Sequence, residues 1–278
     1  MNSKVSLLAV FCMLAFSTCT KDIPLPDTDD CKDAVWAEGI YHDASSIMDE
    51  AATSGSIPLY GNLKTLQDPS GIATISVQNV NFANVDTIIV DFGTSDVQCS
   101  DKRFRRGKIL AIVTRVVGTW SPYADTNAID TIKFVDYYVN DNHVEGSRTI
   151  YNNYSTSSLN KIYKNTTAGK ITNRYGKTMT WNATEKKTWT NTVTATSFYN
   201  RTYAVSGTAS GTGFNGTSFT SSTTTDLTFS GDCYYIKSGV MTLTPSGFTA
   251  RTLDFGPGSC DKFVDVLIDG NHNNINQE

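Results

Sequence analysis

Cysteines, histidines and strand-borne carboxylates are the residues with which this chain could do chemistry, and their spacing excludes more than it offers. Six cysteines occur, and no two stand as C-x-x-C, so a thiolate metal centre of the close-pair type is not encoded. Cys12 and Cys19 fall in the leader discussed below. Cys31, Cys99, Cys233 and Cys260 remain, an even number that admits three disulfide connectivities. The expected pairing is Cys233–Cys260, because Cys233 opens a hairpin whose returning strand leads to the loop holding Cys260. Cys31–Cys99 follows by elimination and would fasten the start of a helix to an equivalent loop. The three histidines, His42, His143 and His272, fit no H-E-x-x-H, and no G-x-S-x-G nucleophile elbow is present. His42 reads as a solvated helix residue. His143, beside Asp141 and Glu145, could serve as a general base, but reads better as a strand residue just after a turn.

Carboxylates for glycoside hydrolysis would have to come from Asp136, Asp141, Glu145 or Glu185, whose separations a sequence does not give. Asp91, Asp101, Asp254 and Asp261 flank two loops; without EF-hand spacing they read as turn-making residues, not calcium ligands. The run Gly211-Thr-Gly213-Phe-Asn-Gly216 spells G-x-G-x-x-G but sits in a Thr-rich hairpin, not at the opening of a helix, so it does not cradle phosphate. The basic run 102–108 could meet an anionic glycan or lipid head group, and reads first as protection of an apolar strand against edge pairing. No residue is nominated as catalytic or metal-binding, and no cofactor is expected.

The elements that must position these residues begin with a leader. Residues 1–18 carry Lys4, an apolar run over 5–16 and small Ser17 and Thr18, a secretory signal too short to span a bilayer. Phe16-Ser17-Thr18-Cys19 resembles a lipobox, with Phe and Thr as departures from its usual residues, which makes Cys19 the expected lipidation site. Residues 19–30, with Pro24, Pro26 and four acidic residues, read as a solvated tether. About 260 residues remain after the leader, enough for one large β domain or two small domains. A net charge of -4 and 18% charged residues argue against a nucleic-acid partner.

Residues 31–53 repeat Trp36, Ile40, Ala44, Ile47, Met48 and Ala51 at helical spacing, predicting a single helix with one apolar stripe, capped by Asp29 or Asp30. Residues 31–70 are assigned to this helix and a connector, and 71–278 to an antiparallel β domain. There the period is two: Met179, Trp181, Ala183 and Trp189 share one parity, interrupted by Glu185 and Lys187, opposite a row of Thr and Asn. Asn140-Asp141, Gly176, Asn215-Gly216 and Ser246-Gly247 mark tight turns. Residues 108–117, apolar at successive positions, predict a strand covered on both faces, and the Asn-rich end from residue 271 is expected to fray. The fold class expected is therefore all-β, mainly antiparallel hairpins in a meander, as a sandwich or an open curved sheet, with one N-terminal helix. The stretch TIIVDFGTSDVQCSDKRFRRGKILAIV (87–113) recurs in shorter form as RTLDFGPGSCDKFVDVLI (251–268), suggesting a duplicated two-strand unit.

The blocks DFG…C…D, Arg106 to Ile109, DYYVNDNHVEGSRTI, GKTMTW, SGTASGTGFNGTSFT and RTLDFGPGSCD together resemble a family of Bacteroidota lipoproteins of unknown function, over roughly residues 87–268. The resemblance implies a cell-envelope address and an all-β fold, and supplies no catalytic residues. It also implies possible O-glycosylation at Asp86-Thr87-Ile88 and Asp130-Thr131-Ile132. The functional expectation is an outer-membrane lipoprotein, anchored through its N-terminal lipid and exposed at the surface. It would be a non-enzymatic module binding glycan or another envelope component, with a carboxylate-based polysaccharide hydrolase and a periplasmic scaffold as alternatives. Polar Thr/Asn strand faces and abundant Tyr and Trp favour binding, since aromatic rings stack on sugars. Trp120 and Tyr123, in a loop, are the candidate ligand-binding residues, while Trp181 and Trp189 are expected in the core.

Overall fold

The computed structural model describes residues 27–53, 73–79, 85–99, 101–114, 128–152, 162–191 and 201–278. Helix α1 spans Asp29–Thr53. The strands follow in chain order: β1 Thr74–Asn79, β2 Val85–Asp91, β3 Val97–Gln98, β4 Phe104–Thr114, β5 Ile129–Val139, β6 Asn142–Asn152, β7 Ile162–Thr172, β8 Thr178–Trp189, β9 Thr202–Thr212, β10 Ser218–Ser230, β11 Cys233–Pro245, β12 Arg251–Pro257, β13 Phe263–Ile268 and β14 Asn271–Asn276. All belong to one antiparallel sheet in which each strand lies beside its successor, save that β2 pairs with β4 and short β3 pairs only with β4. The sheet is an open meander with β1 and β14 at its edges. The Asn-rich end does not fray: β14 pairs with β13 along its length, and Gln277 bonds Ile236 of β11 through both its amide groups.

Turn chemistry set the hairpins. Asn140 and Asp141 both hold positive φ in the two-residue link between β5 and β6, a conformation their short polar side chains tolerate. The duplicated unit is real at the level of its loops. Asp91 Oδ1 accepts from the Gly93 amide and Asp254 Oδ1 from the Gly256 amide, both at 2.8 Å. Asp101 and Asp261 likewise accept from the amides of Arg103 and Phe263, so all four aspartates make turns, as expected. The two copies stand near opposite edges of the sheet.

The helix lies against the concave face of the sheet, which encloses it on several sides. From Cys31 to Ala52 only Lys32 is exposed. Its apolar stripe is buried, but so are Asp30, Glu38, His42, Ser45, Asp49 and Glu50. Strands reach it from many directions: Arg105 of β4 meets Asp43, the carbonyl of Glu145 in β6 accepts from Tyr41, Lys187 of β8 meets Asp49, and Arg251 of β12 meets Asp30. The sheet therefore curls around α1. Capping is also shifted: the Lys32 amide donates to the Thr28 carbonyl, while the Asp30 carboxylate turns inward to Arg251 and Asn215. Trp181, Met179, Ile171, Ile109 and Leu253 fill the space around the helix, and Trp189 joins them as expected. On β4, Ile109, Ala111 and Val113 are buried while Leu110 and Ile112 are only partly covered, so this strand alternates more than its apolar sequence implies.

Candidate functional site

Two constellations stand out, one inside the sheet and one on its outer surface. The inner one is built from α1, β6 and β8. Glu38 and His42 are one helical turn apart and share a face. Strand alternation carries Glu185 into the interior with Met179, Trp181 and Ala183, so the residues that looked like an interruption of an apolar parity continue its burial. His42 Nε2 lies 3.0 Å from Glu38 Oε1, 3.5 Å from Glu185 Oε2 and 3.1 Å from Arg148 Nη2. Arg148 donates to Glu185 at 2.7 Å and to Thr167 Oγ1 at 2.9 Å. The imidazole stacks on Phe229, with ring centroids 4.1 Å apart. His42 is thus a core residue, not a solvated one, because the curled sheet encloses the face of α1 that carries it.

Environment separates the two carboxyls. Burial, reinforced by the Glu185 charge, pushes Glu38 up to about 7. Burial also opposes charge on Glu185, but the Arg148 guanidinium, His42 and the facing Glu38 carboxyl together outweigh it and hold Glu185 well below the usual carboxylate range. Of the two, Glu38 is therefore the one that favours its protonated form, with the Glu185 carboxylate within 4.8 Å of it. Glu38 Oε1, although 3.0 Å from His42, lies off the line of a hydrogen bond.

The same device recurs along the helix. Arg105 bridges Asp43 at 2.7 Å and Asp101 at 2.8 Å; burial opposes charge on Asp101, but the hydrogen bonds and charges of Arg105 and Arg103 together lower that carboxyl. Lys187 meets Asp49 at 2.9 Å and stands 4.0 Å from the centre of the Tyr203 ring. Buried pairs of this kind add little net stability, but removing one partner strands the other.

Glu38, His42 and Glu185 have ligand atoms within 4.8 Å of one another, a composition that could hold a divalent cation. Arg148 already occupies that role: its Nη2 lies against both Glu185 and His42, and a second cation would meet it face to face. The adjoining void is about 10 Å³, too small for a substrate. The two carboxyls lie within 4.8 Å of each other with Arg148 bound to one of them, which leaves no room for the sugar that glycosidase carboxylates flank. The cluster is an ion-pair network.

The outer constellation comes from register. Thr131, Thr149, Thr166, Thr184, Thr208, Ser222, Thr242 and Thr252 are successive cross-strand partners from β5 to β12. A second row runs Asn182, Ser210, Thr220, Thr244 from β8 to β11. Hydroxyls in a row are spaced about 4.8 Å across strands, and the rows about 6.8 Å apart along them. The rows line a groove of about 670 Å³ over β7–β11, and no charged side chain occurs among its described lining residues. Through Thr220 and Thr244 it continues into a depression of about 560 Å³ bounded by Phe248, whose ring is 61% exposed.

The remaining candidates are placed as follows. Cys233 and Cys260 form a disulfide. Cys31 and Cys99 do not: both are buried free thiols. Cys99 shares its surroundings with Arg105, Asp101 and Asp43, whereas Cys31 lies against Arg251. Asp43 is twelve residues further along α1 than Cys31, about 18 Å of helix, and a disulfide tolerates no more than about 7 Å between Cα atoms. Cys19, Trp120 and Tyr123 lie outside the described residues. The basic run 102–108 is divided by strand alternation: Arg103 and Arg105 turn inward, while Arg106 and Lys108 pair outside with Asp96, Asp141 and Asp91. His143 stacks on Tyr138 just after the turn. Asp130 is wholly buried in β5. No protein-family model, no curated protein and no solved structure matches the chain.

Proposed function

We propose that this protein is a non-enzymatic envelope lipoprotein of the Bacteroidota type, anchored through Cys19, whose outer groove binds a neutral glycan chain. The hydroxyl-lined groove over β7–β11 carries the reading. Its size falls in the range of ligand sites, its lining donates and accepts hydrogen bonds without charge, and Phe248 at its end offers a ring for stacking. Sheet twist favours a flexible chain over a rigid lattice. At about 20–25° per strand, a row crossing β5 to β12 turns through roughly 140–175°, so a flat crystalline face could match only a few strands. A polysaccharide can follow the curve.

The test is affinity electrophoresis against soluble glucans, mannans and galactans with wild type, Phe248→Ala and Thr220→Val/Thr244→Val. Retardation by one class, weakened about tenfold by Phe248→Ala, equivalent to ~1.4 kcal/mol, supports the reading. Retardation by none removes it. Loss of fatty-acid labelling in Cys19→Ala, and protease sensitivity on intact cells, test the anchor and the surface address.

A further inference from the structure

Ladder pairing is interrupted on both sides of β10 where it crosses the buried cluster. On its β9 side the ladder runs through Ser222↔Thr208 and resumes at Leu227↔Val205, so residues 223–226 arch over Ser206 and Gly207. On its β11 side the register slips between Thr223 and Thr225 and again before Thr228. Threonine hydroxyls stand in for backbone pairs here. The Gly207 amide donates to Thr223 Oγ1 at 2.8 Å, and Thr224 Oγ1 donates to the Val240 carbonyl at 3.2 Å. Bulges re-aim strands and interrupt ladders in this way.

Glu38 and Glu185 lie directly beneath the arch. With Gly207, Ser221 and Thr223 they line the small void, and its Thr208, Ala209 and Ser221 also line the outer groove. Gly207 touches Glu185 so closely that a Cβ there would stand 3.1 Å from Glu185 Cγ and collide with the Thr184 carbonyl. Displacement of the Glu185 side chain therefore passes to the backbone that the Thr223 hydroxyl clamps.

We propose that the proton on Glu38, beside the Glu185 carboxylate, is a latch on the β10 arch, and so on the wall of the outer groove. The inference rests on the glycan reading only for what the groove binds. Two buried carboxyls within 4.8 Å of each other resist double ionisation. The void beside them has room for one water at most, too little to solvate a second charge. The charged and titratable groups around the pair are His42 from α1, Arg148 from β6, and Lys187 further along β8. The other strands bring neutral groups: Thr167 from β7, Val205 and Gly207 from β9, Ser221, Thr223 and the Phe229 ring from β10, and Met241 from β11. Arg148 is already committed to Glu185 and Thr167, and Lys187 to Asp49. Repulsion on loss of the proton is relieved where pairing is interrupted, at the arch. The elevation of Glu38 to about 7 places the change near neutrality.

Amide hydrogen exchange of the full chain tests this, comparing wild type with Glu38→Gln, which copies the protonated acid, at about pH 5.5 and about pH 8.5. Intrinsic exchange cancels in the comparison. Peptides covering 205–209 and 221–226 are expected to exchange alike at the lower pH. At the higher pH wild type exchanges on the order of tenfold faster, each unit of pKa displacement being a factor of ten. Identical profiles in the two proteins overturn the latch. If Glu38→Gln folds poorly, Thr223→Val serves instead: it removes the clamp, so the arch is unprotected at both values, and a change with pH in its protection factor, with intrinsic exchange divided out, overturns the proposal. Binding of dextran and mannan on the same samples separates the two readings. A pH step in exchange without binding keeps the latch and removes those glycans as ligands; binding with the same pH profile in wild type and Glu38→Gln removes the latch.

Discussion

Arg148 and Glu185 meet 2.7 Å apart across β7, each with no more than a twentieth of its side chain exposed, and the contact joins the sheet to the helix it encloses through His42. Replacing Arg148 by Met leaves a buried carboxylate without its cation. The expected loss is about 3–5 kcal/mol, measured by urea denaturation. The double variant Arg148→Met/Glu185→Met is expected to recover much of that loss. A double variant no more stable than the single would show that the two residues are not coupled.

Stability should depend on pH through the buried acids, and the directions oppose one another. Glu38, raised to about 7, and Asp33, raised by burial to about 6, take up protons on folding. Their contribution is complete below the ordinary carboxylate range and is lost as pH rises through those values. Glu185 and Asp101 are lowered, so their contribution is present above that range and lost on acidification. The melting temperature should therefore peak in mildly acidic solution. Above about pH 5, the decline should be shallower in Glu38→Gln than in wild type. Parallel curves for the two proteins would contradict the assignment of the proton to Glu38.

The Cys233–Cys260 bridge closes a separation of 27 residues. On the loop-entropy account its removal by Cys233→Ser/Cys260→Ser costs about 3–4 kcal/mol. Cys31 and Cys99 should resist iodoacetamide until the protein is unfolded, since both are buried and burial pushes the Cys31 thiol up to about 11. Peptide mapping that found these two joined would overturn the pairing.

Gly169 is expected to be intolerant of any side chain. A Cβ there would collide with the ring and hydroxyl of Tyr41, which is buried and donates to the Glu145 carbonyl at 3.0 Å. Gly169→Ala should cost about 1–3 kcal/mol by overpacking, and truncating Tyr41 in the same chain should make the added methyl harmless. A cost unchanged by that truncation would place its origin in the strand backbone.

The hairpin order was legible because it is written locally. Asn140-Asp141 and Asn215-Gly216 fix their turns with adjacent residues, and period two persists through β7 and β8. The enclosure of α1 was not. Glu38, His42 and Asp49 lie off the apolar stripe and read as a wet face, because a buried charge is recognisable only beside its partner. Those partners, Arg148, Glu185 and Lys187, lie more than a hundred positions away. The one available signal was Glu185 and Lys187 on the buried parity of a strand. The Thr/Asn faces were visible as a composition, but their alignment into a groove required the register. The Cys31–Cys99 pairing failed because elimination assumes every exported thiol is paired, whereas the length of α1 holds these two apart.

Most contacts in this sheet join neighbours in sequence, so hairpins can zip in turn as the chain emerges, with little loop entropy to overcome at each step. The helix obeys a different clock. Cys31, near the start of the fold, reaches Arg251 from 220 residues away, so the residues formed first wait for those formed almost last. Until β12 arrives, the acids of α1 have no complete cage, and a truncated chain keeps them in water at the expense of the core. Completion of the core is therefore tied to the arrival of β12. A chain cut before Arg251 should remain an open, protease-sensitive sheet, not a smaller version of the native protein.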